Sequence, residues 1–270
     1  MDDVLVLVEN CETWQPHVRY AARLAAKLHG SLNGIHVAPS AIPVPTDASA
    51  AFSREIIEIF REETELALRA ESPFRQWARR EGIEHSTWRV ARGSPAEVLE
   101  SAAKWHDLVI LEAHAESFGG DILETGSAIV RVDLPCVVVP RGMDKANLDT
   151  IAIAWNGSIQ SARAVHAALP LLQQARRIAI LRVDDADATG AIDRIEPDEF
   201  LGRHGLRCEH FDMRGRADDA GAVLLAGAAQ IFADLLVLGA YGTGRFSEWF
   251  FGGVTRHVLQ HVTLPLFMRH

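Results

Sequence analysis

The chain reads as an α/β protein built twice over: two tandem domains, each a five-stranded, mostly parallel sheet flanked by helices. Two observations predict it. Short apolar runs such as Val4–Val8, Leu108–Leu111 and Leu235–Leu238 alternate with helical patterns, the order of βαβ units and hence of a buried parallel sheet. The first half then recurs: VLVLVEN lines up with TIAIAWN, LVILEAH with LLVLGAY, and DLPCVVVPR with TLPLFMRH. Domain-sized repeats of this kind indicate an internal duplication.

In order, Val4–Val8 is a strand, Glu9 to Cys11 a loop, His17–His29 a helix and Leu32–Val37 the second strand. After a connection carrying Pro39, Pro43 and Pro45, residues Ala48 to Arg80 keep a charged helical pattern with a break expected near Pro73. His85–Val90 is the third strand. Gly93-Ser94-Pro95 caps a helix to about Trp105, because serine accepts a free N–H of the first turn and proline lacks one to leave unpaired. Leu108–Leu111 and Cys136–Val139 complete the set. Polar Arg141–Thr150 is the expected linker, giving domains over residues 1–142 and 149–270.

The second half gives a strand at Ile151–Ala154, a loop at Asn156-Gly157-Ser158, a helix at Ala162–Leu172 and a strand at Ile178–Val183. A polar stretch, Asp184–Glu196, and a short helix near Glu199 replace the long helix of the first half. Arg207–Met213 is the third strand, and Asp218-Asp219 cap a helix to Phe232. Leu235–Leu238 is the fourth strand. A bend at Gly239 and Gly242 follows, then Gly252-Gly253, a helix with Phe250, Val254 and Val258 at four-residue spacing, and a strand to Met268. Glycines between strand and helix let backbone N–H groups approach a ligand, and a helix start adds partial positive charge, so an anion such as phosphate is the natural guest.

Composition narrows the function. At 270 residues with 48% hydrophobic content the chain is globular, and no apolar run approaches the roughly 20 residues needed to cross a bilayer. The start, MDDVLVLVEN, carries acids where a signal peptide carries positive charge, so a cytoplasmic protein without a membrane partner is expected. The net charge of −9 argues against nucleic acid. The basic stretches Arg75–Arg80 and Arg203–Arg216 are interleaved with or flanked by acids and read as solvated faces. Cys11, Cys136 and Cys208 are too far apart for a CxxC motif and read as reduced thiols.

With these residues in place, the chain resembles the tandem form of the universal stress protein family. That family's ATP signature is a glycine, two residues, a glycine, nine residues, a glycine and then Ser or Thr. Gly239, Gly242 and Gly252 keep that spacing, and GVTRHVL with LPLFM is similar to the family's last helix and strand. The resemblance implies two Rossmann-like domains of the adenine nucleotide alpha hydrolase type. It also implies ATP or another adenine nucleotide, with or without magnesium, in the second domain only. Adenine would lie near Asn156 and Val183, with phosphate over Gly239, Gly242 and the N–H groups of Gly252, Gly253 and Val254, and Ala154 would be a further nucleotide contact. Arg245 is either a flexible clamp on phosphate or, as loop arginines more commonly are, a solvated side chain. The role implied is a sensor or regulatory module of the stress response.

Two residues depart from that pattern. Gly253 replaces the hydroxyl residue, removing a hydrogen bond of about 0.5–1.5 kcal/mol and hence about tenfold in affinity. Asn156 replaces the loop aspartate, keeping a neutral acceptor. In the first half, Glu112 and Ala115 occupy the positions of Gly239 and Gly242, and the segment to Pro135 is three residues shorter. A carboxylate there repels an anion. Gly126-Ser127 is the remaining trace of the glycine–hydroxyl pair, so the first domain is expected to be a structural partner.

Other groups read more plainly. His257 and His261, four apart, are capping or surface histidines without the glutamate of a zinc peptidase motif. Asp184, Asp185 and Asp187 read as a solvated loop, and Trp249, Phe250 and Phe251 as core. No metal-ligand motif, GxSxG elbow or P-loop is present, so at most slow ATP hydrolysis is expected. Enzymes of the related hydrolase or ligase type carry an SGGxDS loop that is absent. Cys136–Val139 and Leu264–Met268 are placed to pair within one chain, as last strands do across a dimer in single-domain members. A homodimer of tandem chains stays open, as does the rival reading of a nucleotide-free scaffold.

Overall fold

A computed structural model describes residues 1–38, 49–113, 132–184, 196–216, 219–240 and 253–270. Its elements run β1 (Asp3–Leu7), α1 (Pro16–Lys27), β2 (Ser31–Ala38), α2 (Ala50–Arg69), α3 (Glu71–Arg80), β3 (Ser86–Arg92), α4 (Pro95–Ala103), β4 (Leu108–Glu112) and β5 (Cys136–Val139). The second repeat gives β6 (Thr150–Ala154), α5 (Ile159–Leu172), β7 (Arg177–Asp184), α6 (Asp198–Arg203), β8 (Glu209–Arg214), α7 (Ala220–Gln230), β9 (Leu235–Gly239), α8 (Gly253–Gln260) and β10 (Leu266–Arg269). Each repeat is therefore a five-stranded α/β unit of Rossmann-like order.

The long helical pattern of the first repeat breaks at Ala70 rather than at Pro73, because Pro73 has no N–H for the carbonyl of Arg69 and a proline ring crowds that carbonyl. The proline instead sits in the first turn of α3, where no such bond is missed. Around α4 the expected cap is present as a full capping box: Ser94 Oγ accepts the Glu97 N–H and Glu97 Oε2 accepts the Ser94 N–H. Helix α5 starts three residues earlier than the sequence suggests, since Ser158 accepts the Ser161 N–H and caps it at Ile159. Asp219 is the N-cap of α7 but makes no side-chain capping bond.

The contacts divide the chain into two compact units, residues Met1–Ile110 with Gly142–Lys145, and Leu111–Arg141 with Ala146–His270. In the first, the strand order is β3-β2-β1-β4, parallel throughout. Its core holds Tyr20, Leu24, Leu32, Phe74 and Ile110, all without solvent exposure. Asp144 of the expected linker is tied to α1 by Arg23, whose Nη1 lies 3.1 Å from its carboxylate and donates to its carbonyl at 2.7 Å.

In the second unit the order is β5-β10-β9-β6-β7-β8. All pairs are parallel except β5 with β10, which run antiparallel with Val137 opposite Phe267. Those two residues are equivalent in the two repeats, so each strand meets the other at the same point along its length.

The ladders also correct one alignment. Val4 pairs with Leu108, and Ile151 with Leu235, so Val4 corresponds to Ile151 and Glu9, not Asn10, to Asn156. Fully buried parallel strands read as continuous apolar runs, and matching such runs by letter cannot resolve a one-residue shift.

Candidate functional site

Strand order positions the site. Within the second repeat the sheet runs 5-4-1-2-3, and the direction of winding reverses between β6 and β9. In an open α/β sheet, ligands bind outside the carboxyl ends of the strands at that reversal. A cavity of about 370 Å³ opens there, within the range of about 300–1,000 Å³ common for small-molecule sites. The strand ends supply Ala154, Val183, Leu238 and Gly239, and the loop after β6 supplies Trp155 and Asn156. The first turn of α5 supplies Ser158, Gln160 and Ser161, α7 gives Ala220 and Leu224, and the first described turn of α8 gives Gly253, Val254 and Thr255.

Six of the eight residues expected from the sequence thus line one cavity: Ala154, Asn156, Val183, Gly239, Gly253 and Val254. Gly242 and Gly252 lie outside the described residues, as do Arg245, Asp185, Asp187, Ala115, Gly126, Ser127 and the aromatic run Trp249 to Phe251. Among the lining residues that reasoning from the sequence missed are the polar Trp155, Ser158, Gln160, Ser161 and Thr255, with Gly215 and the apolar Ala220, Leu224 and Leu238. The positional rule that ligand contacts follow strand ends would have found Trp155 and Gly215.

The described lining carries no charged side chain. Its polarity comes from amides, hydroxyls and the starts of helices, whose N–H groups carry partial positive charge. Asn156 Oδ1 accepts the Ser158 N–H at 3.1 Å, so the turn uses the acceptor that the sequence assigned to a ligand. The indole nitrogen of Trp155 is buried without a hydrogen-bond partner, an uncommon condition for a buried donor. A Cβ built on Gly253 meets nothing within 4 Å, whereas one on Gly239 would strike the backbone of α5.

The equivalent place in the first repeat is built differently. Glu112 stands in the register of Gly239. The N–H groups of Glu9 and Asn10, in the loop that corresponds to Asn156, both donate to Gln15 Oε1, at 3.1 and 3.2 Å.

The two expected histidines behave as a helix end. His261 Nδ1 lies 2.9 Å from the carbonyl oxygen of His257, and the two rings stack at 4.3 Å. Cys11 and Cys136 are buried free thiols, pushed up by burial to about 11 and about 12.

The model of the universal stress protein family matches residues 1–140 and again 147–269. The chain belongs to the universal stress protein family. As a tandem universal stress protein it resembles in fold a universal stress protein from Archaeoglobus fulgidus, at a TM-score of 0.70 and 17% identity over 98% of this chain and 95% of that one. A functionally unknown protein from Pseudomonas aeruginosa is similar at a TM-score of 0.60 and 12% identity, over 98% and 91% of the two chains. No curated protein sequence matches the chain. Among the described residues no helix is long and apolar enough to cross a membrane.

Proposed function

We propose that this universal stress protein binds ATP or another adenine nucleotide in its second repeat and works in the cytoplasm as a sensor or regulatory module of the stress response. The observation that carries the reading is the convergence of α5, α7 and α8 on an uncharged cavity at the sheet's reversal point. Helix starts favour an anion there, and an apolar wall from Val183 and Leu224 suits a flat base. Phosphate would be held by the N–H groups of Gly253 and Val254 together with the glycine loop, and the base by Ala154, Asn156 and Val183. The indole N–H of Trp155 is a free donor beside them.

Glu112 and the closed Glu9–Gln15 loop support restricting the nucleotide to the second repeat. The antiparallel β5–β10 register supports a reading in which the two repeats pair within one chain. No described side chain lining the cavity can act as a general base, which fits binding with at most slow hydrolysis.

One observation favours the rival, a nucleotide-free scaffold: Gly239 is already required by its packing against α5. Calorimetric titration with ATP, ADP and AMP separates the two. Saturable heat with a rise in unfolding temperature supports binding; no heat and no thermal shift at millimolar nucleotide overturns it. Mass spectrometry of ligand released from purified protein identifies the guest without presupposing one.

A further inference from the structure

We propose that Asp198, Cys208 and His210, remote in function from the nucleotide cavity, form a site for a borderline-soft divalent metal ion, zinc foremost. Thiolate, imidazole and carboxylate are the donor types such an ion selects. His210 Nε2 lies 2.8 Å from Asp198 Oδ1 and Cys208 Sγ lies 3.4 Å from the same oxygen. All three donor atoms fall within 4.8 Å of one another. Bond lengths of about 2.0–2.3 Å in a tetrahedron put neighbouring ligand atoms about 3.3–3.7 Å apart. Shifts of a few tenths of an ångström to about an ångström, in side chains that are only partly buried, therefore convert the cluster into a coordination shell.

Glu196 Oε1 accepts from Arg182 Nη1 at 2.6 Å, while its Oε2 is buried without a hydrogen-bond partner. A buried carboxylate oxygen left unpaired is the kind of atom a cation satisfies, but the Glu196 oxygens are not among the donor atoms that lie within 4.8 Å of one another, so water completes the shell.

The duplication shows what the cluster replaces. In β3, Trp88 pairs in register with Gly34, and in β8, His210 pairs with Ile180; the ladders make these two pairs equivalent. Trp88 fastens its strand to the helices before it: its ring packs on Phe74 at 5.1 Å and its Nε1 donates to the Ala67 carbonyl at 2.8 Å. His210 occupies the same position, and its partner is Asp198, on the short helix α6. A metal ion would fasten α6 to the edge strand β8 where the first repeat uses aromatic packing. The sequence signal is Cys208-Glu209-His210 at the start of β8, where Cys208 immediately precedes the strand and a two-residue spacing on extended backbone puts side chains on one face.

Cobalt(II) titration tests the site, because a thiolate ligand gives a charge-transfer band in the near ultraviolet. Among the three cysteines only Cys208 is not buried, so the band reports this cluster. One Co²⁺ per chain is expected, displaced by Zn²⁺, with the band lost in Cys208→Ser and affinity reduced by more than about tenfold in His210→Gln. His261→Gln, the control, should bind unchanged. Absence of a band in the wild type overturns the site, as does a band that survives Cys208→Ser or a loss of binding in His261→Gln instead of His210→Gln. Thermal unfolding with a chelator checks that each variant is folded.

Discussion

A Cβ on Gly239 would sit 2.5 Å from the carbonyl carbon of Gln160 and 2.6 Å from the Ser161 nitrogen. Backbone cannot yield there as a flexible side chain would, so the last residue of β9 must lack a side chain for α5 to dock. Gly239→Ala is expected to destabilise the protein by about 1–3 kcal/mol in nucleotide-free urea unfolding. A variant as stable as the wild type would show that the start of α5 gives way to a side chain at this position.

Gly253 behaves oppositely. Its missing side chain faces open space beside the cavity, so Gly253→Ser adds a hydroxyl without displacing anything. ATP affinity measured by calorimetry should rise by up to about tenfold, with stability unchanged or higher. Unchanged affinity would mean that phosphate does not pass this residue.

Phe232 closes α7 in the left-handed region, at φ 53°, with 87% of its surface exposed. The Phe232 N–H donates to the Ala229 carbonyl and the Ala233 N–H to the Ala228 carbonyl, the paired bonds of a Schellman end. A residue with a Cβ costs about 1–2 kcal/mol in this conformation, and an exposed ring returns little of it. Phe232→Gly should raise the unfolding free energy by about 1 kcal/mol; a loss of stability would mean that the ring packs in solution.

Asp107 and Asp234 fill the same place in the two repeats. Asp107 Oδ2 accepts the N–H groups of Asp2 and Asp3 at 2.7 and 3.2 Å, and Asp234 Oδ2 accepts that of Thr150 at 2.9 Å. Burial by itself would raise the Asp107 carboxyl, but these two N–H donors hold it below its ordinary value. A folded value below the unfolded one gives stability that is present above the ordinary carboxylate range and lost as pH falls through the folded value. Asp107→Asn should therefore cost about 1 kcal/mol at neutral pH, and its difference from the wild type should close in acid. A constant difference from pH 7 to pH 3 would exclude the charge as the cause.

The sequence by itself determined the class of fold and the repeat, because apolar runs, turn glycines and the Ser94 cap act over a few residues. The resemblance to the family, rather than the residue pattern, pointed to Ala154, Asn156, Val183, Gly239, Gly253 and Val254, and the fold brings these six to one cavity. Register lay beyond the sequence, and the one-residue shift at Asn156 emerged only from the ladders, because buried strands are apolar on both faces. Tertiary structure alone decided that Gly239 is a packing glycine, since the atom it avoids, in Gln160, is 79 residues away in the chain. It also brought Asp198 to Cys208 and His210, which lie ten and twelve positions further along the chain: only the folding of α6 back onto β8 sets their side chains side by side.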